Sequence, residues 1–109
     1  MSHVSAHVLD SVTGSPAAWL DVELLGPDGS SLGHGTTDGD GRVAELGPER
    51  LGPGDHALVF ATGDWFADRG TEAFFPSVAV AFRVPDPPGD HYHVPLLLSP
   101  FAYTTYRGR

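Results

Sequence analysis

Short stretches of this chain alternate between apolar and polar residues. In Leu20-Asp21-Val22-Glu23-Leu24 the apolar side chains share one face and the acids the other, as a half-buried strand requires. Val78, Val80, Phe82 and Val84 repeat the pattern, with Ala79, Ala81 and Arg83 opposite. Pro27-Asp28-Gly29-Ser30 is turn chemistry between two strands, Pro presetting φ and Gly accepting a positive one. Fourteen Gly and ten Pro in 109 residues interrupt the chain. They fall roughly every eight to twelve positions, the spacing of a sandwich or barrel. One short segment, Asp64 to Arg69, reads as helix and is stopped by Gly70. The pattern predicts an all-β chain of seven or eight strands with one short helix, in a single domain spanning residues 1–109.

The same period of two decides where the histidines point. Val4, Ala6 and Val8 form an apolar set, so His7 faces away from it. Tyr92, Val94, Leu96 and Leu98 form a second set, so His91 and His93 share the other face with Pro95 and Leu97. That face is not plainly solvated, because Pro95 and Leu97, with Phe101, Tyr103 and Tyr106 in the next segment, leave apolar surface on both sides of this C-terminal hairpin. A strand with two apolar faces is central in a layered fold or lies at a subunit contact. In a two-layer sandwich the second applies, which predicts an oligomer whose contact surface carries histidines. His3, His34 and His56 read as packing or surface residues.

Charge and composition narrow the chemistry. Six Arg and no Lys stand against fourteen acids, a net charge of −8. That is the wrong sign for a nucleic-acid surface, which needs clustered positive charge. A small anionic substrate stays possible, because one or two arginines in a pocket set the local potential. The absence of cysteine removes disulfides, thiolate metal sites and cysteine nucleophiles. No apolar run suggests a leader peptide or reaches the roughly 20 residues of a membrane helix, so a cytoplasmic location is the expectation.

Three motifs need weighing. His91-x-His93 has metal-ligand spacing with His7 as a third ligand, yet no acidic partner stands nearby and no metal is expected. Thr36 to Arg42 imitates a calcium loop but lacks the acids at both ends and the flanking helices. It reads as a tight glycine turn that holds Arg42 at the start of a strand. No nucleophile elbow, P-loop or dinucleotide fingerprint occurs, and Ser99 before Pro100 shapes a bend.

Taken together, three blocks resemble one family. They are His7-Val8-Leu9-Asp10 with Gly14-Ser15-Pro16-Ala17, the turn Thr37 to Arg42, and the run from His91 to Gly108. The chain resembles the 5-hydroxyisourate hydrolases, enzymatic relatives of transthyretin. The resemblance implies a two-sheet transthyretin-like sandwich, no cofactor and no metal. It also implies a homotetramer with active sites where two dimers meet, and no nucleic-acid or membrane partner. The implied reaction is hydrolysis of 5-hydroxyisourate to 2-oxo-4-hydroxy-4-carboxy-5-ureidoimidazoline in purine degradation. His7, Arg42 and His93 are the implied catalytic residues, with Tyr106, Arg107 and Arg109 at the substrate. The alternative is a non-catalytic, transthyretin-like carrier of a small aromatic anion. The family tail usually ends Tyr-Arg-Gly-Ser, whereas this chain carries Tyr106-Arg107-Gly108-Arg109.

Overall fold

A computed structural model describes residues 2–109. Nine strands and one helix follow in the order β1 Val4–Asp10, β2 Ser15–Pro16, β3 Asp21–Leu25, β4 Ser31–Thr36, β5 Arg42–Val43, β6 Gly54–Phe60, α1 Thr62–Ala67, β7 Val78–Val84, β8 Tyr92–Leu98 and β9 Tyr103–Thr105. Two of the nine, β2 and β5, are two-residue strands, so seven strands carry the architecture. One sheet runs β2-β1-β8-β9, with β5 also on β1, and the other runs β4-β3-β6-β7.

The alternation read from the sequence is the alternation that is buried. Val4, Ala6 and Val8 from β1 and Tyr92, Val94, Leu96 and Leu98 from β8 meet Val22, Leu24, Leu58 and Phe60 from the facing sheet. Burying each such side chain is worth about 1.5–3 kcal/mol, which is why register is fixed: a one-residue slip would turn every one of them to solvent. His3 and His56 are packing residues. The His3 ring accepts the Leu51 N–H at Nδ1 (2.8 Å), and its Nε2–H donates to the Gly89 carbonyl at 2.7 Å. His56 stacks on Phe82.

The helix begins two residues before the predicted start and ends at Ala67. Its position is set by burial of Thr62, Trp65 and Phe66 under the sandwich. Turn hydrogen bonds continue past it, Gly70 N–H to the Ala67 carbonyl and Thr71 N–H to that of Phe66. Gly70, at φ 66°, supplies the left-handed end.

For the site, the decisive pairing is β1 with β8, which are parallel, with Ser5 opposite His93 and His7 opposite Pro95. On its other edge β1 pairs antiparallel with β5, His7 opposite Arg42.

Candidate active site

Three strands therefore bring His7, Arg42 and His93 to the outer face of one sheet. With residues spaced by about 3.3 Å along a strand and strands about 4.8 Å apart, the two-residue offset puts the His7 and His93 Cα atoms about 8 Å apart. His7 and Arg42 are direct cross-strand neighbours.

Arg42 is held by the turn before it. The Asp38 carboxylate accepts the backbone N–H of Asp40 (2.9 Å) and of Arg42 (3.0 Å). Those bonds, the Arg42 one foremost, hold the Asp38 carboxyl below the usual carboxylate range, helped by the Arg42 and His7 charges. Gly41 takes φ 76°, and a Cβ there would collide with the Val8 carbonyl oxygen. Only glycine lets the turn approach β1 this closely and lock Arg42 beside His7. The guanidinium itself is exposed.

The two imidazoles are tethered differently. His7 Nε2 lies 3.0 Å from the Asp40 carbonyl oxygen. A carbonyl only accepts, so Nε2 carries the hydrogen and Nδ1 is left toward the face. His93 Nδ1 instead lies 2.8 Å from Ser5 Oγ, leaving Nε2. Burial lowers the His93 pKa, and the nearby Arg42, His7 and His91 charges lower it further. His93 is thus neutral at neutral pH and able to take a proton.

The tail closes on His93. Gly108 N–H donates to the His93 carbonyl at 2.9 Å, and the two residues form a β-bridge. A Cβ on Gly108 would lie 2.5 Å from His93 Cδ2 and 3.0 Å from Pro95 Cγ. Pro95 is consequently buried under the chain's own tail, so the apolar outer face read from the sequence is partly covered within one chain. What stays open is aromatic: Phe101 is 66% exposed and Tyr106 58%.

Tyr106 and Arg107 line a cavity that His7 and Arg42 do not line. It has a volume of about 300 Å³ and lies at the sandwich edge, bordered also by Val80, Phe82, Tyr92 and His93. The Arg107 guanidinium sits 5.3 Å from the centre of the Tyr92 ring, which belongs to the core side of β8. Arg109 is exposed at the end of the chain. His93 is the residue common to both groups.

Sequence reading missed Ser5, whose hydroxyl touches both His91 Nε2 and His93 Nδ1 at 2.8 Å. The signal was available, since Ser5 shares the outer face of β1 with His7, but only the parallel register opposes it to His93. Among the described residues no cluster of three His, Asp or Glu side chains forms a metal ligand set.

Comparison with known proteins agrees with this architecture. The 5-hydroxyisourate hydrolase of Salmonella dublin is 42% identical over 109 residues, covering 96% of this chain and 79% of that one. The solved structure of Klebsiella pneumoniae 5-hydroxyisourate hydrolase superposes with a TM-score of 0.89 at 37% identity, covering 100% of this chain and 94% of that one. Sea bream transthyretin in complex with thyroxine gives a TM-score of 0.89 at 30% identity, covering 97% of this chain and 94% of that one. The sequence pattern of the HIUase/Transthyretin family matches residues 4–108, and the chain belongs to that family.

Proposed function

We propose that this protein hydrolyses 5-hydroxyisourate, with His7, Arg42 and His93 as its catalytic residues. The observation that carries the reading is the convergence of these three side chains, from β1, β5 and β8, on one sheet face. Backbone likeness alone does not separate hydrolase from carrier, because the solved hydrolase and the transthyretin match equally well. The side chains favour the hydrolase: two imidazoles and a guanidinium are acid–base equipment that a passive binding site does not need.

The substrate is an activated cyclic amide. Neutral His93 takes a proton from water at Nε2 as the oxygen adds to the ring carbonyl, a contribution of about 10²–10⁴-fold. Arg42 carries a permanent charge and stabilises the oxyanion that forms, worth about 10²–10³-fold for such a donor. When the ring C–N bond breaks, the departing nitrogen takes a proton from an imidazolium, and the product leaves as a carboxylate. The separation of about 8 Å between the His7 and His93 backbones suits a small heterocycle lying between them. Tyr106, Arg107 and Arg109 bound the substrate from the tail side. Each step uses groups of this chain and requires no cofactor.

The functional assembly in this reading is a homotetramer whose sites lie where dimers meet. The exposed aromatics in and after the β8–β9 hairpin, Phe101, Tyr103 and Tyr106, support it, since such patches mark contact surfaces. A scattering mass near four times the 11.5 kDa of one chain is expected, and a mass near 11.5 kDa refutes the shared site. The expected location is the cytoplasm. To test the reaction, 5-hydroxyisourate is generated with urate oxidase and its ultraviolet decay followed with and without the protein. Decay at the spontaneous rate refutes the hydrolase.

A further inference from the structure

Ser5 lies in β1 directly opposite His93 in β8. Its Oγ is 2.8 Å from His93 Nδ1 and 2.8 Å from His91 Nε2, so one hydroxyl joins two imidazoles on the same sheet face. A hydroxyl has one proton to donate and two lone pairs, so it can pass a hydrogen-bond direction from one ring to the next.

We infer that Ser5 is the positioning residue for His93, and that Ser5 and His91 form a proton relay leading from His93 Nδ1 to solvent. The inference rests on the hydrolase reading. With Nδ1 occupied by Ser5, Nε2 is the nitrogen that faces substrate. For Nε2 to act as base it must be unprotonated, so the ring proton sits on Nδ1 and donates to Ser5 Oγ. The Ser5 hydroxyl then donates to His91 Nε2. His91 is exposed on the single chain, just before β8, which leaves the outer end of the relay open to the water of the site.

The relay conserves protons at each transfer. If His93 Nδ1–H passes its proton to Ser5 Oγ, the Ser5 proton moves to His91 Nε2, and His91 releases its Nδ1 proton to water. When Nε2 gains a proton from the attacking water, the Nδ1–H bond to Ser5 becomes charge-assisted and strengthens. That favours the protonated ring against burial and against the groups facing it. Those groups are His7 on β1, Arg42 on β5, His91 beside β8, and the tail with Arg107 and Arg109 packed on it through Gly108.

The test compares the parent protein with Ser5→Ala and Ser5→Thr. Threonine keeps the hydroxyl and suits a strand. Ser5→Ala is expected to lose about 3–10-fold in kcat/KM, the value of one hydrogen bond, and its acid limb moves to lower pH. Ser5→Thr restores both. Ring ¹⁵N spectra of His93 give a readout independent of turnover. The Nδ1–H tautomer is expected in the parent and in Ser5→Thr, with a shift toward Nε2–H in Ser5→Ala. Persistence of the parent tautomer in Ser5→Ala, or equal losses in both variants, overturns the inference. A parent protein with no activity refutes the hydrolase reading instead, and the spectra then decide the role of Ser5 by themselves.

Discussion

Replacing Gly108 by alanine separates folding from chemistry. The added Cβ would stand 2.5 Å from His93 Cδ2 and 3.0 Å from Pro95 Cγ. Carbon atoms in contact prefer about 3.5–4.0 Å, so the first overlap is about 1 Å or more. Neither neighbour can yield cheaply. The His93 ring is held by Ser5, and Pro95 is a buried ring in mid-strand. The tail must lift, which breaks the Gly108 N–H bond to the His93 carbonyl. That bond is worth about 0.5–1.5 kcal/mol net. Because Gly108 lies outside the core cluster, the melting temperature is expected to fall by only a few degrees. Catalysis is expected to suffer far more, since the lifted tail carries Tyr106 and Arg107 away from the substrate, and a misplacement of about 1 Å costs about 10²-fold. The assay is kcat/KM for 5-hydroxyisourate decay beside a thermal melt of the same sample. A variant with unchanged kcat/KM would show that the tail is not packed on the reactive imidazole, and a large fall in melting temperature would refute its separation from the core.

Three further outcomes are expected. His93→Ala and Arg42→Ala each lower kcat by at least about 10²-fold without unfolding the protein, and near-parent rates for both would place the site elsewhere. Because the folded-state pKa of His93 is lowered by burial and nearby cations, its neutral form persists below the ordinary imidazole range. The acid limb of kcat/KM therefore falls below about pH 6.5, and the stability that the neutral ring contributes is complete above that pH and declines as pH drops through the folded pKa; a limb above 6.5 contradicts the assignment. His3 is 2% exposed and clasps Leu51 and Gly89 through both ring nitrogens, so His3→Ala destabilises by about 2–4 kcal/mol in denaturant titration while leaving the rate per folded molecule intact.

How far the sequence reaches differs between fold and site. Alternation in Leu20 to Leu24 and in Val78 to Val84 specified strands and their buried faces, because side chains on a strand take opposite sides by stereochemistry alone. The helix was seen but displaced by two residues, because burial of Thr62, Trp65 and Phe66 sets its start and local propensity does not. The two-residue strands β2 and β5 leave no periodic trace at all, since two positions cannot display a period.

For the site, the chain by itself established that His7 and His93 turn away from the core and that a glycine turn fixes Arg42 at a strand start. It also carried the family resemblance, through motifs spread from His7 to Gly108. Only the tertiary structure decided which side chains meet. The parallel register of β1 and β8 opposes Ser5 to His93 across 88 positions of sequence, and the pairing of β1 with β5 opposes Arg42 to His7. It likewise decided that the tail covers Pro95 and that Tyr106 and Arg107 flank His93 from the sandwich edge. The physical reason is that a strand's faces follow from its own covalent geometry, whereas its neighbours follow from how two sheets bury their apolar sides together.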